Sequence, residues 1–180
     1  ISRQLKPSDI LSIVTFSDRA EVIVPAGQTK NLNLVETQMR MIRASGGTEI
    51  FQGLDAGYSE IKRNLRKSPI NHIFLLTDGH TYGDEDSCLN LANRAASDGV
   101  RITGLGIGNE WNDIFLDELA NRTGGSSFYI AKNNDITTFL EQKFQNLGQL
   151  HAEQVLLKLD NSPGVSITAA FRLQPDSTEL

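Results

Sequence analysis

What most constrains this chain is an alternation of two hydrophobic patterns. Short apolar runs rich in β-branched residues are separated by longer segments whose apolar residues recur at helical spacing. Ile10–Phe16, Ile70–Leu76 and Val100–Leu105 read as strands, with Ser127–Ile130 as a shorter one; a run such as Ile10–Phe16, apolar almost throughout, fits a strand buried on both faces. Leu32–Ile42 carries Leu32, Val35, Met39 and Ile42 at helical spacing, and Ile50–Leu65 offers Ile50, Leu54, Ala56, Tyr58, Ile61 and Leu65 as inward positions. Asp84–Asp98 presents Leu89, Leu91, Ala92 and Ala95, with Gly99 as its stop. Trp111–Arg122 and Ile136–Leu150 complete the helices, the last with Phe139, Leu140, Phe144 and Leu147 on one face. Strands that alternate with helices need crossovers, and these lay strands parallel and cover both faces of the sheet. The expected fold class is therefore α/β: a doubly wound, mostly parallel sheet flanked by helices, with a C-terminal β-hairpin extension.

Both ends depart from this pattern. Ser17-Asp18-Arg19 is a turn too short for a crossover, so Ala20–Val24 should pair antiparallel with the first strand, at an edge, and stop at Pro25. Near the other end, residues 152–159 and 165–171 alternate apolar and polar positions around an Asn161-Ser-Pro-Gly164 turn. This tail is expected to form a hairpin that packs on the main unit or opens a further β domain, so the chain divides into 1–150 and 151–180. Ile1–Asp9 reads as the last turn of a helix, a proline stop and a turn, which suggests a unit truncated at its N-terminus.

Composition narrows the function. With 180 residues, 39% hydrophobic and 22% charged, the chain can bury a core. Its net charge of −5 argues against nucleic-acid binding, which requires a basic surface. No apolar run approaches the roughly 18 residues that span a bilayer, so no membrane insertion is expected. Ile1–Pro7 lacks a signal-peptide pattern. Cys88 is the only cysteine, so no internal disulfide can form, and the compartment stays open: a soluble domain, either cytoplasmic or on an extracellular face.

In an open α/β sheet, ligands bind beyond the C-terminal ends of the strands. The polar residues there are Ser17 and Asp18 after the first strand, then Ser45, Thr48 and Glu49 before the second helix. Thr77, Asp78, His80 and Asp84 follow the next long strand, and Asn109 and Glu110 the one after. This rim is rich in oxygen and nearly free of Cys and His, which suits Mg²⁺, Mn²⁺ or Ca²⁺ rather than Zn²⁺. Gly104-x-Gly106-x-Gly108 fails the spacing of a dinucleotide loop, so no nucleotide cofactor is expected. Cys88 in its helix and His72 at a strand start read as structural.

Ser8–Asp18, the loop Gly46-Gly-Thr-Glu-Ile-Phe-Gln-Gly-Leu54 and the strand end Phe74-Leu-Leu-Thr-Asp-Gly79 resemble, in that order, motifs of von Willebrand factor type A domains, a Rossmann-like family. Ile102–Gly108, Leu116–Ala120 and Gly124–Tyr129 resemble the family's C-terminal half, so the likeness runs from about Leu5 to Leu147. The resemblance implies a protein-binding module, not an enzyme, with a metal-ion-dependent adhesion site. Thr48 would coordinate through its hydroxyl and Asp78 directly or through water, with Ser17, Asp18, Glu49 and His80 as rim contacts. The cofactor would be Mg²⁺ or Mn²⁺, with Ca²⁺ as the alternative. An acidic residue of a partner protein would complete the octahedron. The family's Asp-x-Ser-x-Ser motif, carried on its first strand, is absent from this sequence. The resemblance places that strand between Ile10–Phe16 and Ile70–Leu76, and without it metal binding should be weak or absent.

Plainer readings stand beside these. Thr48 would serve as a helix cap and Asp78 as a turn residue. A metal-independent scaffold is the main alternative, because an unpaired position inside a sheet is adhesive and allows homo-oligomers by strand exchange. A metal-assisted phosphohydrolase built on Asp78 would need a phosphate loop with Lys or a paired nucleophilic Asp motif, and the chain has neither.

Overall fold

The computed structural model describes residues 5–28, 32–43, 46–65, 70–81, 83–108, 110–131, 133–147, 171–172 and 178–179. Two antiparallel strands open it, β1 (Ile10–Phe16) and β2 (Ala20–Gln28). Two helices follow, α1 (Leu32–Arg40) and α2 (Ile50–Lys62). Then come β3 (Asn71–Thr77), α3 (Glu85–Ser97), β4 (Val100–Ile107), α4 (Asp113–Asn121), β5 (Ser127–Ile130) and α5 (Asn133–Leu147). β3, β4 and β5 are parallel neighbours in that order, joined by the crossover helices α3 and α4.

β4 sits at the centre of the packing because apolar residues leave it in both directions. Val100 and Ile102 join Leu54 of α2, Leu91 of α3 and Leu116 of α4 in one cluster. Leu105 points the other way, into a second cluster with Ile130 and Leu140 of α5. Helices thus cover both faces of the parallel sheet, as doubly wound architecture requires. α2 is tied into this half by Tyr58, whose hydroxyl donates to Asp98 at the end of α3 over 2.6 Å. Burial and that carboxylate push the Tyr58 phenol up to about 12.

β1 and β2 form a separate two-stranded sheet, and β1 does not pair with β3. The break lies where the resemblance places the strand of the Asp-x-Ser-x-Ser motif. It also corrects the expectation that Ile10–Phe16 is buried on both faces: every residue of β1 is partly exposed. Among the described residues β1 has one strand neighbour, which leaves its other edge and the flanking side chains uncovered, however apolar they are.

Pro25 was expected to end the second strand, yet β2 continues to Gln28. The ladder steps from Ile13↔Val24 to Leu11↔Gly27, so the stretch around Pro25 is looped out of register as a bulge. A bulge on an edge strand asks no ladder N–H of a proline. The next amide, Ala26 N, instead donates to Glu60 Oε2 of α2 at 2.7 Å. Glu60 is only 2% exposed and also pairs with Arg63 at 2.5 Å, so its charge is compensated.

His72 on β3 stacks on Phe74 and shares a 2.8 Å hydrogen bond between Nε2 and Thr103 Oγ1. Burial, then the charges of Arg101 and Lys143, pull its pKa down to about 4, which keeps the imidazole neutral at pH 7. The expected hairpin of 152–159 with 165–171 lies outside the described residues, apart from Phe171. What is described of the tail is a short antiparallel pairing of β6 (Phe171–Arg172) with β7 (Thr178–Glu179). Among the described residues no helix is long and apolar enough to cross a membrane.

Candidate functional site

Three loops meet at the C-terminal ends of β1 and β3. The first is the turn Ser17–Asp18. Its Asp18 carboxylate lies against Gly46 and Gly47: a Cβ on either glycine would come within 2.7 or 2.8 Å of an Asp18 oxygen. Gly46 also has φ +80°, a backbone that favours glycine. Asp18 Oδ1 accepts the Gly47 N–H over 2.6 Å, and the Ser17 carbonyl accepts the Glu49 N–H over 2.9 Å. The glycine pair therefore lets the chain close onto the hairpin turn just before α2.

The second loop is the entry to α2. Glu49 is its N-cap residue and makes no side-chain cap hydrogen bond. The helix is capped from a distance instead. Ile50 N donates to Thr81 Oγ1 at 3.1 Å, and Phe51 N donates to Asp84 Oδ2 at 2.8 Å.

The third loop follows β3. The buried Thr77 hydroxyl folds the turn back, donating to the Gly79 carbonyl at 3.1 Å and accepting from Gly79 N at 3.3 Å. Asp78 is left exposed at the tip. Gly79 lies directly against Thr48: a Cβ there would stand 2.9 Å from Thr48 Oγ1. The Thr48 hydroxyl thus abuts the Asp78–Gly79 turn, although the two residues are far apart in sequence. Further on, Thr81 donates to Asp84 Oδ1, and the Cys88 thiol is 3.9 Å from the same oxygen. Burial, then Asp84 and Glu85, push that thiol up, so Cys88 remains protonated and inert.

The sequence-selected residues thus separate into groups. Thr48 and the Asp78 turn are brought together. Ser17 and Asp18 support the glycine loop from the side. Glu49 and His80 are exposed on the rim, as is Glu110; Ser45 and Asn109 lie outside the described residues. Asp84 belongs to the rim by sequence, but its carboxylate is turned inward as a cap. Thr81 escaped the sequence reading, and its only local signal is the Thr-x-x-Asp spacing to Asp84. Gly104 and Gly106 face Leu116 and the Trp111 ring, which accounts for these two glycines by packing, while Gly108 takes a φ of +73°.

The von Willebrand factor type A domain model matches residues 2–143. The chain belongs to the von Willebrand factor type A family. An uncharacterized Synechocystis protein, sll0103, is 31% identical over 98% of this chain, and the chain spans 43% of that relative's length. A von Willebrand factor type A structure from Catenulispora acidiphila superposes with a TM-score of 0.68 at 19% identity, covering 81% of this chain and 35% of the other. Proximal thread matrix protein 1 from the mussel byssus, with a zinc-occupied MIDAS motif, gives a TM-score of 0.64 at 22% identity, covering 75% and 34%. These likenesses establish the fold of the vWA domain.

The donors the vWA domain brings together are a hydroxyl and a carboxylate-bearing turn, both hard oxygen chemistry. Among the described residues, no group of three or more His, Cys, Asp or Glu is placed to hold a metal ion. Thr48 and Asp78 offer the chemistry of two oxygen donors, and the Asp-x-Ser-x-Ser motif is absent from this sequence.

Proposed function

We propose that this vWA domain is a protein-interaction module that holds a divalent cation, Mg²⁺ or Mn²⁺, through Thr48 and Asp78 and uses it to bind an acidic residue of a partner protein. One observation carries the reading: the Thr48 hydroxyl lies against Gly79, the residue after Asp78, so two loops distant in sequence bring a hydroxyl beside a carboxylate-bearing turn. When bound, the cation would supply the charge that attracts a partner carboxylate. The protein's own part is to orient the Thr48 hydroxyl, to expose Asp78, and to hold the surrounding amides in hydrogen bonds so that they do not compete for the ligand. The zinc-occupied site of the mussel protein supports cation binding as a property of related domains.

The test is calorimetric titration of Mn²⁺ into the full-length protein and its Thr48→Ala and Asp78→Ala variants. The expected result is a weak heat of binding that either substitution removes. Binding that survives both substitutions would reject these ligands.

A second reading rests on the split sheet. Among the described residues β1 and β3 each have a single strand neighbour; the side chains of β1 are all partly exposed, as are those of β3 apart from Leu75 and Thr77. Such edges accept a further strand, and a second copy pairing there would make the domain a metal-independent assembly unit. Absence of any Mn²⁺ heat, together with a concentration-dependent mass by sedimentation, would favour this reading over the first.

A further inference from the structure

We propose that Asp84, acting with Thr81, is the positioning residue of the cation site: it caps α2 from the β3–α3 loop and so holds Thr48 against the Asp78 turn. The inference rests on the metal reading above for its functional consequence, but its structural half stands alone.

Asp84 has the composition of a ligand and the geometry of a brace. Its Oδ2 accepts the Phe51 N–H at 2.8 Å. Its Oδ1 accepts from the Thr81 hydroxyl and faces the Cys88 thiol. Both oxygens are therefore engaged within the protein rather than directed at the rim. Thr81, 4% exposed, relays the same support to Ile50 N. These are the first two amides of α2, groups that have no partner within a helix and must find one elsewhere. Glu49 does not provide it. Asp84 also lies at the positive end of the helix dipole, where an acidic side chain stabilises the start of α2.

The consequence for Thr48 follows from where the supports lie. On its N-terminal side, Gly47 N is held by Asp18. On its C-terminal side, Glu49 N is held by Ser17 and the next two amides by Thr81 and Asp84. Thr48 is the residue between these clamps. The hairpin turn and the β3–α3 loop grip the segment from two directions, and the second grip comes from the same loop that carries Asp78. Asp84 thereby couples the Thr48 donor to the Asp78 donor. Supporting residues of this kind typically alter metal affinity by about 10–100-fold.

The experiment compares Asp84→Ala, Asp84→Asn and Asp78→Ala in the full-length protein with three readouts: Mn²⁺ calorimetry, amide exchange at Ile50 and Phe51, and NMR order of the Thr48 methyl. Asparagine keeps an oxygen to accept the Phe51 N–H but loses the charge. Asp84→Ala is expected to speed exchange at Ile50 and Phe51 by about tenfold, to loosen the Thr48 methyl, and to weaken Mn²⁺ by about 10–100-fold. Asp84→Asn should restore most of all three. Asp78→Ala should abolish Mn²⁺ binding and leave both amides protected. Unchanged exchange and methyl order in Asp84→Ala would overturn the proposal. So would loss of Mn²⁺ in Asp84→Asn as complete as in Asp78→Ala, which would make Asp84 a ligand. If the wild-type protein binds no Mn²⁺, the metal reading fails, while the exchange and methyl data still decide whether Asp84 positions Thr48.

Discussion

β1 and β4 are both short, largely apolar strands, but in β4 six of eight residues are buried while in β1 none is. The difference lies in their neighbours. β4 pairs on both edges and meets helices on both faces. Among the described residues β1 pairs with β2 alone, and it rests on α2, where Phe16 lies against Gly53. Apolar composition selects a strand; pairing and coverage determine how much of its surface leaves water. The β3–β4–β5 half is accordingly the stable unit, and the β1–β2 hairpin is an attachment held by α2 and by the loop contacts around Thr48.

The contrast predicts unequal mutational costs. Leu105→Ala on β4, at a fully buried position, should cost about 3–4 kcal/mol in denaturant unfolding. Val14→Ala on the partly exposed β1 should cost about 1 kcal/mol. Equal costs would break the comparison and mean that β1 is covered in solution by something else.

Acid offers a second probe of the buried half. His72 has an unfolded-state value near 6.5 and a folded value near 4. Above the first value both states are neutral at this residue and its contribution is intact. As pH falls from 6.5 toward 4, the unfolded chain takes up the proton first, so stability falls through that window and this loss is complete below it. The expected loss is on the order of 3 kcal/mol. His72→Gln should flatten this part of the stability–pH curve; an unchanged slope would locate the acid sensitivity elsewhere.

The joint between the halves is sharpened by Gly53→Ala. A Cβ at Gly53 would come within 2.6 Å of the Phe16 ring, so α2 and β1 must separate. Against the gain in helix propensity, the net cost should be about 1–2 kcal/mol. Exchange should quicken in β1 and β2 before β4. Uniform loss across both sheets would show one cooperative unit instead of two.

The smallest effect is expected at Tyr58→Phe, which removes the hydroxyl bonded to Asp98. Thermal or denaturant unfolding should report about 1 kcal/mol, confined to the α2–α3 contact. An effect reaching the β1–β2 amides would tie the hairpin to the buried half more tightly than its contacts suggest.

Much of this was legible in the sequence. Periodicity placed all five helices and the strands of the parallel sheet, because repeated burial on one face leaves a local signature. The ends were less exact. Helix α2 stops at Lys62 and not Leu65, and β2 runs past Pro25, since a distant carboxylate, Glu60, takes the amide that the bulge releases. The motifs Gly46-Gly47-Thr48 and Thr77-Asp78-Gly79 singled out the candidate donors.

By itself the sequence determined the fold class, the family and the residue types on the rim, all of which are written in local spacing. Only the tertiary structure decided that Thr48 meets the Asp78 turn, that Asp84 looks inward to cap α2, and that β1 stays half-exposed. Each of these depends on contacts between segments far apart in the chain, whose geometry is set by packing and leaves no periodic trace in either segment alone.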